Sequence, residues 1–150
     1  MRLLGWLRAA PLLAALACGQ PRPFPIVMGQ DPCDHCHMTL ADRRFVAELV
    51  TRTGKQYRFD DIGCLAAFLA NEGSASAAGA SAWVGDFLHP GQWLRADSAT
   101  YLRSEALHTP MASGLIALGP GAPVDSVRTV LAATVLAWPE VKSGAELPRQ

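Results

Sequence analysis

A β-hairpin followed by a helix is encoded in residues 45–69, which read FVAELVTRTGKQYRFDDIGCLAAFL. Apolar and polar side chains alternate over residues 45–51 and again over residues 56–59, which is the period of a half-buried strand. The Thr53-Gly54 pair between them indicates the turn. Apolar residues then recur on one helical stripe over residues 62–69. This stretch therefore predicts a strand-strand-helix unit and an α+β fold.

The same order of elements recurs along the rest of the chain. Strands are predicted over residues 83–88, 100–103, 115–118 and 134–138, with a short helix over residues 124–131. The pattern predicts two small ββαβ lobes in tandem, an N-terminal lobe over residues 31–88 and a C-terminal lobe over residues 89–140. Residues 73–79 are rich in Gly, Ser and Ala and are predicted to form a connector, and residues 141–150 are predicted to form a tail.

Potential metal ligands are concentrated just before the first strand, in residues 31–40, DPCDHCHMTL. Cys33, Cys36 and Met38 offer two thiolates and a thioether, and His37 adds an imidazole. Sulfur ligands suit copper(I), a large polarisable ion, whereas zinc rarely accepts methionine. The methionine therefore favours a copper(I) site.

Cys33 and Cys36 alone leave two other interpretations open. A thiol-disulfide oxidoreductase would place the pair at the start of a helix in a βαβ unit, but Pro32 and the polar flanks indicate a loop. A structural zinc or disulfide staple would need further ligands, and the only later cysteine is Cys64. At the start of the predicted helix, Cys64 is either a ligand or a small buried hydrophobic residue.

The N-terminus resembles a bacterial lipoprotein signal. Two arginines flank a short apolar run that ends at Cys18 after a small residue, and the run is too short to span a bilayer as a helix. We therefore expect a signal peptide over residues 1–17, lipidation of Cys18, and a proline-rich tether over residues 18–30. The alternative is an ordinary cleaved signal with an incidental cysteine. Gly19 does not match the inner-membrane retention signal, so we expect an anchor on the periplasmic side of the outer membrane.

The charge balance argues against a nucleic-acid partner. The chain has 13 basic and 13 acidic residues and no basic stripe that could neutralise phosphates. It also lacks a Ser-His-Asp order or a glycine-rich phosphate loop, and the Asp60-Asp61 pair is explained as a helix cap. We therefore expect a binding protein, not an enzyme. His35, His89 and His108 are expected at the surface.

Five motifs occur in a fixed order over residues 31–118. They are Cys33-x-x-Cys36-His37-Met38, Arg44-Phe45-x-Ala47-Glu48-Leu49, Phe59-Asp60-Asp61-Ile62-Gly63-Cys64, Trp83-Val84-x-Asp86-Phe87 and Thr109-Pro110-Met111-x-Ser113-Gly114-Leu115. The ordered set resembles the NosL family, copper lipoproteins accessory to nitrous oxide reductase. The resemblance implies the NosL/MerB-like duplicated architecture.

The resemblance also implies a function and a ligand set. It implies a periplasmic copper(I) chaperone whose partner is nitrous oxide reductase or its ABC-type copper-maturation machinery. Carried over residue by residue, it points to Cys36, Met38 and Met111 as copper ligands. Cys33 is present in only part of the family. His37 stands where the family commonly has glycine or glutamine, so its imidazole could be an additional ligand.

Overall fold

The structure, a computed structural model, describes residues 22–71 and 78–143. The predicted signal peptide and lipidation site Cys18, most of the predicted 73–79 connector and most of the predicted tail lie outside these ranges. Within the described ranges, no helix has the length and apolar character needed to cross a membrane.

A four-stranded antiparallel sheet forms the first lobe. Its strands are β1 (Ala47–Val50), β2 (Gln56–Phe59), β3 (Ser81–Gly85) and β4 (Trp93–Arg95), and its helix is α1 (Ile62–Asn71). The strand order is β2-β1-β3-β4, so the first strand is central. Ala47 pairs with Phe59 on one side and with Val84 on the other. The hairpin and helix predicted from residues 45–69 are therefore present.

The second lobe repeats this arrangement with three strands. It contains β5 (Thr100–Arg103), β6 (Leu115–Leu118) and β7 (Thr134–Leu136), with helices α2 (Val124–Val130) and α3 (Trp138–Ser143). The strand order is β6-β5-β7, and both pairings are antiparallel. In each lobe the first strand is therefore flanked by the second and third, with a helix between those two in the chain. The predicted tandem ββαβ architecture is confirmed.

Several elements differ from the prediction. Strand β3 covers Ser81–Gly85 instead of residues 83–88, and β7 ends at Leu136 because Trp138, predicted to end that strand, begins α3. Strand β4 lies within the range predicted for the second lobe, yet it pairs with β3 and extends the first sheet. Three residues are too few to show the alternation on which strand prediction depends. Helix α3 extends past residue 140 into the predicted tail and contacts α1. Its Pro139 lies in the first turn, where proline is tolerated because no N–H donor is needed there.

The two lobes share one hydrophobic core. Tyr101 and Leu115 of the second sheet belong to the same buried cluster as Phe59 and Leu65 of the first lobe. The opposite face of the second sheet packs against α2 in a smaller cluster. Burying one large apolar side chain contributes about 1.5–3 kcal/mol, so separating the lobes would expose several such side chains at considerable cost. Loops from the two lobes are thereby held next to each other.

The segment that precedes the metal motif is also fixed to the first sheet. The main-chain N–H of Phe24 donates to the carboxylate of Glu48 on β1, at 3.0 Å. Burial raises the pKa of Glu48, and the hydrogen bond from Phe24 acts in the opposite direction. A buried carboxylate needs such partners because its desolvation is costly. This contact holds the chain before residue 31 against the sheet.

Candidate metal centre

Three cysteines from two separate parts of the first lobe converge on one site. Cys33 and Cys36 lie in the loop before β1, and Cys64 lies in the first turn of α1. Their Sγ atoms are all within 4.8 Å of one another, and none of the three forms a disulfide. Cys33 and Cys64 are 0% and 2% exposed, whereas Cys36 is partly exposed. The site is therefore closed on the protein side and open at Cys36.

The loop that carries the first two cysteines is closed by its own main chain. The N–H of Cys33 donates to the carbonyl of Met38 at 2.7 Å, and the N–H of His37 donates to the carbonyl of Cys33 at 3.0 Å. His37 has φ +62°, the left-handed conformation that glycine adopts most readily and that histidine tolerates better than most residues. This tight turn brings Cys36 back toward Cys33.

Strand β2 and the start of α1 hold the loop in place. Asp34 and Arg58 exchange hydrogen bonds: the Asp34 N–H donates to the Arg58 carbonyl at 2.7 Å, and the Arg58 N–H donates to the Asp34 carboxylate at 2.6 Å. The buried carboxylate of Asp60 accepts from the N–H of Ala41 at 2.8 Å. Burial raises the pKa of Asp60. Both ends of the cysteine loop are thus attached to the hairpin-helix unit predicted from residues 45–69.

The three thiols differ in their acidity. A hydrogen bond from the Cys64 thiol lowers the pKa of Cys33 to about 5, against the effect of burial, and main-chain hydrogen bonds add to this shift. The hydrogen bond to Cys33, together with burial, raises the pKa of Cys64. Burial also raises the pKa of Cys36. Cys33 is therefore the most acidic of the three thiols, and Cys64 is its hydrogen-bond donor.

A loop of the second lobe is attached to the first turn of α1. Asp61, fully buried, caps the helix by accepting from the N–H of Gly63 at 2.6 Å, which agrees with the predicted cap. The same carboxylate accepts from the hydroxyls of Thr109 and Ser113, at 2.7 and 2.5 Å. It also accepts from the N–H of Met111 at 3.0 Å. The sequence interpretation missed this second role because it joins residues that are far apart in the chain.

The other predicted ligands differ in their exposure. Met111 is partly buried and packs against the main core, to which Cys33 and Cys64 belong. Met38 is 57% exposed, and the side chain of His37 is exposed beside it. Among the residues that the structure describes, no histidine or carboxylate joins the three thiols as a possible metal ligand. The ligand set predicted from the sequence remains a prediction.

This arrangement suits a soft metal ion. Three thiols at mutual distances below 4.8 Å can lose their protons to bind one ion, because thiolates are the ligands that copper(I) prefers. A structural zinc site is almost always four-coordinate, with Cys, His or carboxylate ligands. Over residues 22–71 and 78–143, a fourth ligand of that kind is absent from the cluster. The site therefore fits copper(I) better than it fits structural zinc.

The fold and the site define a two-lobed α+β protein with a thiol cluster at the start of its first helix. A solved structure with a similar fold, the copper chaperone NosL from Shewanella denitrificans, superposes with a TM-score of 0.67. The match covers 80% of this chain and 96% of that one, at 15% sequence identity. This chain therefore has a NosL-like fold. No protein-family model and no curated protein matches its sequence.

Proposed function

We propose that this chain is a copper(I) chaperone, tethered to the periplasmic face of a bacterial membrane through Cys18. It delivers copper for the copper centres of nitrous oxide reductase, either to that enzyme or to its ABC-type assembly machinery. The observation that carries the proposal is the convergence of Cys33, Cys36 and Cys64 within 4.8 Å. The NosL-like fold supports it, because the structural neighbour is a copper chaperone.

The uneven exposure of the site supports a role in transfer. Buried Cys33 and Cys64 hold the ion from the protein side, while Cys36 and Met38 lie toward the solvent. An acceptor ligand can approach from that side and displace one donor at a time, through intermediates in which both proteins share the ion. A site closed by four buried ligands would resist such exchange.

A thiol-disulfide oxidoreductase is the alternative, and the geometry disfavours it. The attacking cysteine of such an enzyme combines a low pKa with access to its substrate. Here the two properties are separated: Cys33 has the lowered pKa but is 0% exposed, and the more exposed Cys36 has a raised pKa. The Cys33–Cys36 loop also precedes a strand and not a helix.

Competition and transfer experiments test the proposal. The reduced protein, loaded anaerobically with copper(I), should retain the ion against excess zinc and release it to copper-free nitrous oxide reductase. A Cys36→Ser variant should hold less copper and transfer less, whereas His35→Ala, a neighbouring exposed change, should behave like the wild type. Stoichiometric zinc that survives excess copper(I) would instead indicate a structural site.

The membrane anchor requires a separate experiment. Acyl chains on Cys18 would hold the protein in the detergent phase, because each buried methylene contributes about 0.8 kcal/mol to membrane affinity. Cys18→Ala should release the protein or block its processing. Wild-type protein found in the aqueous phase after cleavage would contradict the lipid anchor and leave the copper site unaffected.

A further inference from the structure

The side chain of Asp61 lies between the two lobes and is hydrogen-bonded to both. Its carboxylate is fully buried and, within the part of the chain that the structure describes, accepts hydrogen bonds from four uncharged donors. One donor, the N–H of Gly63, belongs to the first turn of α1. The other three belong to residues 109–113 of the second lobe. A helix cap alone requires only the first of these four bonds.

Asp61 is hydrogen-bonded both to a cysteine of the thiol cluster and to Met111. The main-chain carbonyl of Asp61 accepts from the N–H of Cys64 at 2.9 Å, and its carboxylate accepts from the N–H of Met111 at 3.0 Å. The loop is also closely packed: a Cβ on Gly63 would lie 2.6 Å from the Cβ of Ser113. The main chain at Met111 is therefore held at a fixed position relative to Cys64.

We infer that Asp61 is a positioning residue for the copper(I) site. By fixing the loop that carries Met111, Asp61 holds the thioether at the thiol cluster and makes the metal site depend on the contact between the lobes. The inference rests on the proposed function, because it takes copper(I) to be bound at this cluster and Met111 to be the ligand that the NosL resemblance implies. Residues that hydrogen-bond to metal ligands without touching the metal orient those ligands, and removing such a residue lowers the metal affinity by about 10- to 100-fold. Asp61 would act in this way through the main chain of a ligand and not through its side chain.

Asp61→Asn tests the inference with little change in size. The two carboxylate oxygens accept from different main-chain N–H groups, one from Gly63 and the other from Met111. Whichever way the amide is turned, its NH₂ group faces a main-chain N–H that cannot accept a hydrogen bond. Thr109→Val is a milder version, since it removes one hydroxyl donor and retains the side-chain shape.

The copper(I) affinity should be measured for the wild type, Asp61→Asn, Met111→Leu and the Asp61→Asn/Met111→Leu double variant. Thr109→Val should likewise be measured alone and combined with Met111→Leu. We expect Asp61→Asn to weaken binding by about 10- to 100-fold in the wild type and to have no further effect in the Met111→Leu background. The X-ray absorption spectrum of the loaded Asp61→Asn protein should show the same loss of one sulfur neighbour as Met111→Leu. Asp86→Asn, another buried carboxylate near the second sheet, is the matched control.

Two results would overturn the inference. Equal losses of affinity in the wild-type and Met111→Leu backgrounds would show that Asp61 acts only on the fold. Wild-type affinity in both Asp61→Asn and Thr109→Val would show that the contact does not position a ligand. If the wild type itself binds no copper(I), the proposed function fails; if it binds and the effects are additive, only the positioning role fails.

Discussion

The thiol of Cys33, in the loop before the first sheet, lies within 4.8 Å of the thiol of Cys64 in the first turn of α1. The cap at Asp61 begins the helix at Ile62, so Cys64 occupies its first turn. The hydrogen bond from the Asp34 N–H to the Arg58 carbonyl on β2 holds the cysteine loop beside the start of this helix. A cysteine with no partner nearby in sequence thus becomes part of a three-thiol site.

Replacing Cys64 should weaken copper(I) binding without unfolding the protein. Cys64→Ser exchanges a soft thiolate for a hard hydroxyl, so we expect the affinity to fall by at least about tenfold, or about 1.4 kcal/mol. A chelator competition experiment measures the change, and circular dichroism confirms the fold. Ala67→Ser, a half-buried change on the same helix, is the control. Wild-type affinity in Cys64→Ser would show that Cys64 is only a buried core residue.

The lowered pKa of Cys33 predicts how the metal-free protein responds to pH. The pKa falls from an ordinary value of 9.0 to about 5 in the folded state, so the thiolate contributes stability above pH 9 that is lost as the pH falls toward 5. The stability advantage of the wild type over Cys33→Ala should therefore shrink over this range. Chemical unfolding at a series of pH values measures it. If the difference in the free energy of unfolding between the two proteins does not vary between pH 9 and pH 5, the pKa of Cys33 is not lowered in the folded protein.

A methyl group at Gly63 should separate the second-lobe loop from α1. The new Cβ would lie 2.6 Å from the Cβ of Ser113, so one of the two chains must move. We expect Gly63→Ala to reduce the free energy of unfolding by about 1–3 kcal/mol, the usual cost of overpacking. Its copper(I) affinity should also fall, because the loop carries Met111. Unchanged stability in denaturant unfolding would show that the loop contact is loose.

The histidine in the motif should be dispensable for the metal. His37 is exposed, has φ +62° and lies outside the group of possible ligands formed by the thiols. His37→Gly retains the left-handed turn, because glycine adopts positive φ without a steric penalty. We therefore expect the copper(I) affinity and the fold to match those of the wild type, with His35→Ala as the paired control. A clear loss of affinity in His37→Gly alone would identify the imidazole as an additional ligand.

Local patterns predicted most of the fold. Strands β2, β5 and β6 have the predicted bounds, because each shows clear alternation or a short apolar run between turns. The tandem arrangement followed from the repeated order of elements. Strand β4 and helix α3 were missed because they are short and depend on pairing or packing with distant residues.

The candidate site was only partly predictable. Cys33, Cys36 and Met38 are close in sequence, so their spacing indicated a soft-metal motif. The inclusion of Cys64 depends on how the helix begins, and the contact between Asp61 and the 109–113 loop depends on how the lobes pack. Neither relationship has a local sequence signal, which is why the sequence left the role of Cys64 open.

The most direct test of the account is an anaerobic copper(I) titration of the reduced protein, followed by counting of the thiols that remain open to alkylation. We predict that one copper(I) per chain protects Cys33, Cys36 and Cys64 together, and that zinc in equal amount does not displace it. Protection of Cys33 and Cys36 alone, or alkylation of all three thiols at the wild-type rate in the presence of copper(I), would contradict a three-thiol copper site.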